Sequence, residues 1–211
     1  MKKLAILLSV LALCVPVASA APVNVDLGTA GSFGALAGSG VTNAVAGTII
    51  NGDVGSHPTP AVSGLLPGDV NGILYPAAGA VVGQAKLDLV TAYDVVVGAA
   101  DGNTSEPVDL NGKTLDPNVY AIGVANFSAG NLTLDGHGDP DAQWIFHTTG
   151  LTTAADFNVL LINGASASNV FWQVGTSATI GIRNNFVGTI LAMMNITLDG
   201  TGTLSGRALA R

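Results

Sequence analysis

From Val119 to the C-terminus the chain is a succession of short β-prone runs with only a few residues between them. "VYAIG", "NLTLDG", "QWIFHT", "LTTA", "NVLLING", "NVFWQVG", "SATIG", "NFVGTILA", "NITLDG" and "GTLSGRALA" follow one another without long strands or regular two-residue hairpin turns. Similar side chains return at a nearly fixed interval. Trp144 and Phe171 are 27 residues apart, Thr152 and Thr179 are 27 apart, and Val159 and Val187 are 28 apart. Three short strands per repeat of this length predict a solenoid whose coils have three faces, because each repeat buries its apolar side only against its neighbours. A sandwich of short strands is the competing architecture.

Ahead of this region the pattern differs twice. Ala21 to Pro76 reads as short strands and tight turns marked by Gly, Asn-Gly, Gly-Asp and Pro. The period then lengthens. Val81, Val82, Ala85, Leu89, Ala92, Tyr93 and Val96 recur on one face at helical spacing, with Gln84, Asp88, Thr91 and Asp94 on the other. Pro76 suits a helix start and Gly98 a stop, which predicts one long α-helix over about residues 77–99. Such a helix is about 30 Å long, and its apolar stripe requires an equally long partner surface.

The N-terminal segment from Met1 to Ala20 is predicted not to belong to the folded domain. Two lysines, an apolar run from Leu4 to Val15 and the Ala18-Ser19-Ala20 triplet form a secretory signal. The apolar run is too short to span a bilayer. Residues 1–20 are therefore expected to be removed on export, leaving a single domain over residues 21–211. Cys14, the one cysteine, lies within the signal behind Leu13, which does not suit lipid attachment. A mature chain without cysteine depends on packing and backbone hydrogen bonds rather than disulfides. It keeps five basic residues against 14 acidic ones. That balance argues against nucleic acid and anionic membranes as partners. Charged residues are only 10% of the chain, against about 25% in an ordinary domain, so plain, weakly charged surfaces are expected.

The segments "LAGSGVTN", "INGDVGSHP", "QAKLDLVTAY", "LTLDGHGDPDAQWIF", "LLINGASASNVFWQVG" and "GTILA…ITLDGTGTLSGRALAR" resemble the bacterial and fungal ice-binding-protein-like family over Val25 to Arg211. The resemblance implies a mainly β fold: an irregular right-handed three-faced β-helix with one long α-helix packed along it. It also implies a secreted antifreeze protein that contacts the ice crystal surface. Two departures stand out. Ile182, Arg183, Asn184 and Asn185 occupy a stretch where the family usually carries small residues. Family members also often continue past "GRALAR" with another strand, whereas this chain stops at Arg211.

The family's ice-contact face often shows Thr-(Ala/Gly)-x-(Thr/Asn). Here "TGLT" spans Thr149–Thr152, "TSAT" spans Thr176–Thr179, and "TGT" spans Thr201–Thr203 one coil further on. The expected ice-binding residues are therefore two outward columns, Thr149, Thr176 and Thr201 beside Thr152, Thr179 and Thr203. Coils stack at about 4.8 Å, so such columns form a flat ladder of methyl and hydroxyl groups. Its repeat is close to oxygen spacings in ice. The plain alternative is that Thr is simply favoured on exposed strands.

Other constellations point to no chemistry. His57, His137 and His147 lack metal-ligand spacing. "DGHGDPD" (Asp135–Asp141) offers three carboxylates that suggest calcium, but suits a turn with Asx-type bonds. "DGNTSE" lacks the glycine of a calcium loop, and "NGKT" lacks the first glycine of a phosphate loop. Tyr75, Trp144 and Trp172 are read as packing rather than a sugar platform. The expectation is a monomeric, secreted, extracellular protein that is not an enzyme, with no cofactor, no metal and no membrane span. An extracellular adhesion or structural module of the same fold is the alternative function. A polysaccharide lyase is disfavoured by the scarcity of basic residues.

Overall fold

The structure, a computed structural model, describes residues 22–102 and 104–211. The predicted export signal over residues 1–20, with Cys14, lies outside the described residues. Strands dominate the described residues, and every strand pairing is parallel. The arrangement is a β-solenoid with three faces and one α-helix, Ala80–Val97. The sandwich alternative is thereby replaced: a sandwich is built from antiparallel sheets.

The longest face is a path of eight strands. It begins with Asp53–Ser56 and Phe33–Ala37, continues through Thr203–Ala210, Asn185–Ala192, Val170–Val174, Trp144–Thr148 and Asn118–Ala121, and ends at Thr104–Ser105. The N-terminal strands thus dock on the last coil of the chain. Ala35 lies opposite Ala208, and Leu36 opposite Leu209. The helix carries the chain from that end back to the far end, from which the solenoid is wound toward the N-terminal strands. Seven strand-to-strand steps span about 34 Å, and an 18-residue helix about 27 Å. The length of the helix therefore follows from the height of the stack.

Strand alternation divides the core in two. Inside the solenoid, Tyr120, Phe146 and Trp172 stack coil upon coil, with ring centroids 5.5 and 4.0 Å apart. Phe127, Phe157 and Phe186 line the opposite wall. The buried indoles keep hydrogen-bond partners: Trp144 Nε1 donates to Leu115 O at 3.2 Å and Trp172 Nε1 to Val187 O at 2.9 Å. Both tryptophans pack, as expected, and Tyr75 stacks on Phe33.

On the outside of the same sheet, Val119, Ile145, Phe171, Leu191 and Leu209 meet Val82, Ala85, Leu89, Tyr93 and Val96 of the helix. This is the long partner surface that the apolar stripe requires. The stripe is narrower than its sequence pattern, because Val81 is exposed. Lys86 occupies the buried side instead, its ammonium donating to Ala210 O. Gly98 closes the helix by donating to Asp94 O. Among the described residues no helix is long and apolar enough to cross a membrane.

On this face the register shortens the counted step: Phe146 lies opposite Trp172, and Trp144 opposite Val170 rather than Phe171, while Thr152 does lie opposite Thr179. The next step is far shorter, since Phe171 lies opposite Thr189. In the preceding coil two strands, Phe157–Ile162 and Val170–Val174, are joined through a short 3₁₀ turn. In the last coils a single strand rounds the corner. Gly188 has φ of +109°, and a Cβ there would lie 2.7 Å from Val170 O. Gly206 stacks directly upon it, where a Cβ would meet the Gly188 carbonyl. Glycine at both places lets a continuous strand turn from one face to the next.

Candidate functional site

The second face is a four-stranded parallel sheet of Val124–Phe127, Gly150–Thr153, Ala178–Ile180 and Ile196–Leu198. Ala125, Leu151 and Ala178 point inward and are buried. The intervening side chains therefore point outward. One outward column is Asn126, Thr152, Thr179 and Thr197, each opposite the next. Beside it run Val124, Gly150, Ser177 and Asn195. At the rim stand Gly123, Thr149, Thr176 and Met194, joined by Thr149 N to Gly123 O at 2.7 Å, Thr176 Oγ1 to Thr149 O at 2.7 Å and Met194 N to Thr176 O at 2.9 Å. The four rows read "GVAN", "TGLT", "TSAT" and "MNIT" and contain no ionisable side chain. Val124 is 61% exposed and Met194 55%.

Four of the six threonines expected on this surface, Thr149, Thr152, Thr176 and Thr179, are thus brought together in the expected pairs. The other two are not. Thr203 lies opposite Asn185 on the third face, the sheet of Thr114–Leu115, Gly130–Asp135, Phe157–Ile162 and the start of Asn185–Ala192, and Thr201 sits in the bend leading to it. The positions assigned to them belong to Met194 and Thr197. The cause is the last coil: Thr179 lies opposite Thr197, a step much shorter than the one from Thr152 to Thr179. A count at constant period therefore misses Thr197, Asn126 and Met194. The four-residue rows themselves hold the signal, since "GVAN" ends in the Asn that the family motif admits and "MNIT" ends in Thr.

The departing stretch Ile182–Asn185 forms the corner beside this face. Arg183, at φ +57°, is folded back on Asp156, at φ +63°, in the coil before. Its Nε donates to Asp156 Oδ1 at 2.8 Å and its Nη2 to Oδ2 at 2.6 Å. This two-pronged pairing holds the Asp156 carboxyl below its usual range. Asn184 is fully buried, accepts from Phe157 N at 2.9 Å and donates to Thr153 Oγ1. These residues brace the turn rather than intrude on the face. Asp199 stands exposed where the last row leaves the face.

Elsewhere the polar groups serve turns. In Asp135–Asp141, Asp135 Oδ1 accepts from His137 N and Asp139 Oδ1 from Asp141 N, both at 2.9 Å. These are the Asx-type bonds of the turn reading. His137 pairs with Asp116 at 2.7 Å, and His147 bridges Asp101 and Val96 O. Among the described residues no group of three or more His, Cys, Asp or Glu is placed to hold a metal. A hollow of about 30 Å³ beside Asn184, Leu198 and Leu204 has room for a water, not for a substrate.

A parallel solenoid with one flat, uncharged, coil-repeating face defines a class of protein that meets an extended surface rather than a small ligand. Within that class the chain belongs to the ice-binding-like family, whose profile it matches over residues 35–211. An ice-binding protein of Nostoc sp. (strain HG1) is 40% identical over 187 residues, 88% of this chain and 68% of that protein. The crystal structure of an ice-binding protein from an Antarctic biological consortium superposes with a TM-score of 0.84 at 37% identity, covering 93% of this chain and 89% of that one. An ice-binding protein from an Arctic yeast, whose structure is described as the basis of its antifreeze activity, gives 0.82 at 29% identity, covering 91% and 90%.

Proposed function

We propose that this protein is exported and adsorbs to ice through the four-stranded face, slowing ice growth and recrystallisation. The observation that carries the proposal is the four-row register of small or apolar, unionised side chains in a member of this family. Rows about 4.8 Å apart form a rigid lattice held by backbone hydrogen bonds. Methyl groups on it disfavour ordinary hydration, and hydroxyl and amide groups anchor an ordered water layer. Adsorbed molecules pin the crystal front, which must then curve between them. Curved ice melts at a lower temperature, so growth stops. The reading needs no cofactor, metal or catalytic step, and takes the mature protein to be one extracellular domain beginning at Ala21.

The test is ice recrystallisation inhibition by the chain from Ala21, beside Thr152→Tyr and Thr179→Tyr. A phenol standing off the face keeps the lattice from seating. The expected result is activity in the parent and a loss of at least tenfold in each variant, with melting temperatures unchanged. An inert, folded parent overturns the proposal. An active parent with fully active variants moves the contact surface off this face.

A further inference from the structure

Two columns of this face, the rim and the column two places from it, carry threonine, but the hydroxyls are not equivalent. Thr149 Oγ1 donates to Gly123 O at 2.7 Å, and Thr176 Oγ1 donates to Thr149 O at 2.7 Å. Each hydroxyl has a single proton, and in this column it is committed to a carbonyl of the coil before. That proton is therefore withheld from water. The next residue in the column is Met194, whose side chain has no donor at all and is 55% exposed. In the other column, Thr152, Thr179 and Thr197 make no side-chain hydrogen bond among the described residues, and neither does the Asn126 amide. Their protons remain available to water.

Resting on the ice-adsorbing reading above, we infer that the face divides its work between two columns. Thr149, Thr176 and Met194 form an apolar ledge that meets the ice-side water through carbon. Asn126, Thr152, Thr179 and Thr197 form the donor column that holds that water in place. Met194 is a member of the contact surface rather than an interruption of it. An isosteric change separates the two columns, because Thr→Val keeps the shape and methyl while removing the proton, and Thr→Ser keeps the proton while removing the methyl. The Gly123 carbonyl still accepts from Thr149 N when the Thr149 hydroxyl is gone.

The experiment measures thermal hysteresis of the chain from Ala21 and of three double variants, with melting curves recorded for each. Thr149→Val with Thr176→Val is expected to keep at least half of the parent activity. Thr149→Ser with Thr176→Ser is expected to lose at least fivefold, and Thr152→Val with Thr179→Val likewise. Met194→Leu and Met194→Asn probe the ledge without touching either internal hydrogen bond, so they decide the matter if a ledge double variant fails to fold. Leu should keep the activity and Asn should lose at least fivefold. Equal losses from the two Val pairs, or full activity in Met194→Asn, overturn the division while leaving the ice-adsorbing reading intact. An inert parent overturns that reading and the division with it.

Discussion

The second and third faces are wound from the same coils, yet treat their polar side chains in opposite ways. On the third face Asn131, Asn158 and Asn185 stack in register and end on Thr203. Asn185 Nδ2 donates to Asn158 Oδ1 at 2.8 Å, Asn158 Nδ2 to Asn131 Oδ1 at 3.3 Å, and Thr203 Oγ1 to Asn185 Oδ1 at 2.9 Å. Asn158 Oδ1 also accepts from Asn185 N. This ladder satisfies itself and helps clip the coils together. In the donor column of the second face, the threonines leave their hydroxyls to the solvent. Two regular, exposed β-faces of one stack thus differ in how many of their hydrogen-bonding groups are already engaged.

The largest expected effect blurs the comparison altogether. Trp172 is fully buried and stacked 4.0 Å from Phe146, within the interior that supports both faces. Trp172→Ala should lower stability by about 3–5 kcal/mol in denaturant unfolding, and ice activity should fall with the fold. Asn158→Ala sharpens the contrast. It strips three hydrogen bonds from the ladder and should lower stability by about 1–2 kcal/mol, while thermal hysteresis stays at the parent level. Loss of activity in a folded Asn158→Ala protein would bring the third face into the contact surface.

Lys86 gives a control that touches neither face. Burial, and then the nearby Arg211 charge, bring its ammonium from 10.5 down to about 8. The unfolded chain therefore holds this proton more tightly than the folded one. Below pH 8 both states carry it and its penalty is fully present. Stability should rise as pH is raised from about 8 toward 10, by about 1 kcal/mol after solvent screening. Lys86→Met should flatten that rise in melting curves. The comparison stops near pH 10 because Tyr120 acts in the other sense beyond it. Burial, then Asp116 and Glu106, hold the phenol above its usual range. The smallest effect is expected from Arg183→Ala. Its pair with Asp156 is exposed and beside the face rather than on it, so melting temperature and ice activity should both stay near the parent values.

Much of the fold is legible in the sequence because it rests on local periods. The helical stripe locates Ala80–Val97 to within three residues at each end, and the 27-residue return of "TGLT" and "TSAT" puts four threonines in their true columns. Val81 is misplaced by the pattern because helical spacing defines a stripe but not its width, which the facing sheet sets. The position of Lys86 has no local signal, since its partner is the carbonyl of Ala210, far along the chain. The corner "IRNN" looks like a departure from the family because its polar residues are explained only by residues of the neighbouring coil, Asp156, Phe157, Thr153 and Asn158.

By itself, then, the sequence determined that strands are short, which of their side chains are apolar, where the one long helix lies and that the middle coils repeat. It also carries a signal of the last coil. "NFVGTILA" and "TLSGRALA" align Gly188 with Gly206, a closer spacing than the middle coils show. The tertiary structure alone decided that this shorter step governs the last coils, placing Met194 and Thr197 on the second face and Thr203 on the asparagine ladder. The physical reason is that a side chain's face depends on local alternation, whereas its column depends on the length of the whole coil. Coil length is set where a strand rounds a corner against the backbone of its neighbour.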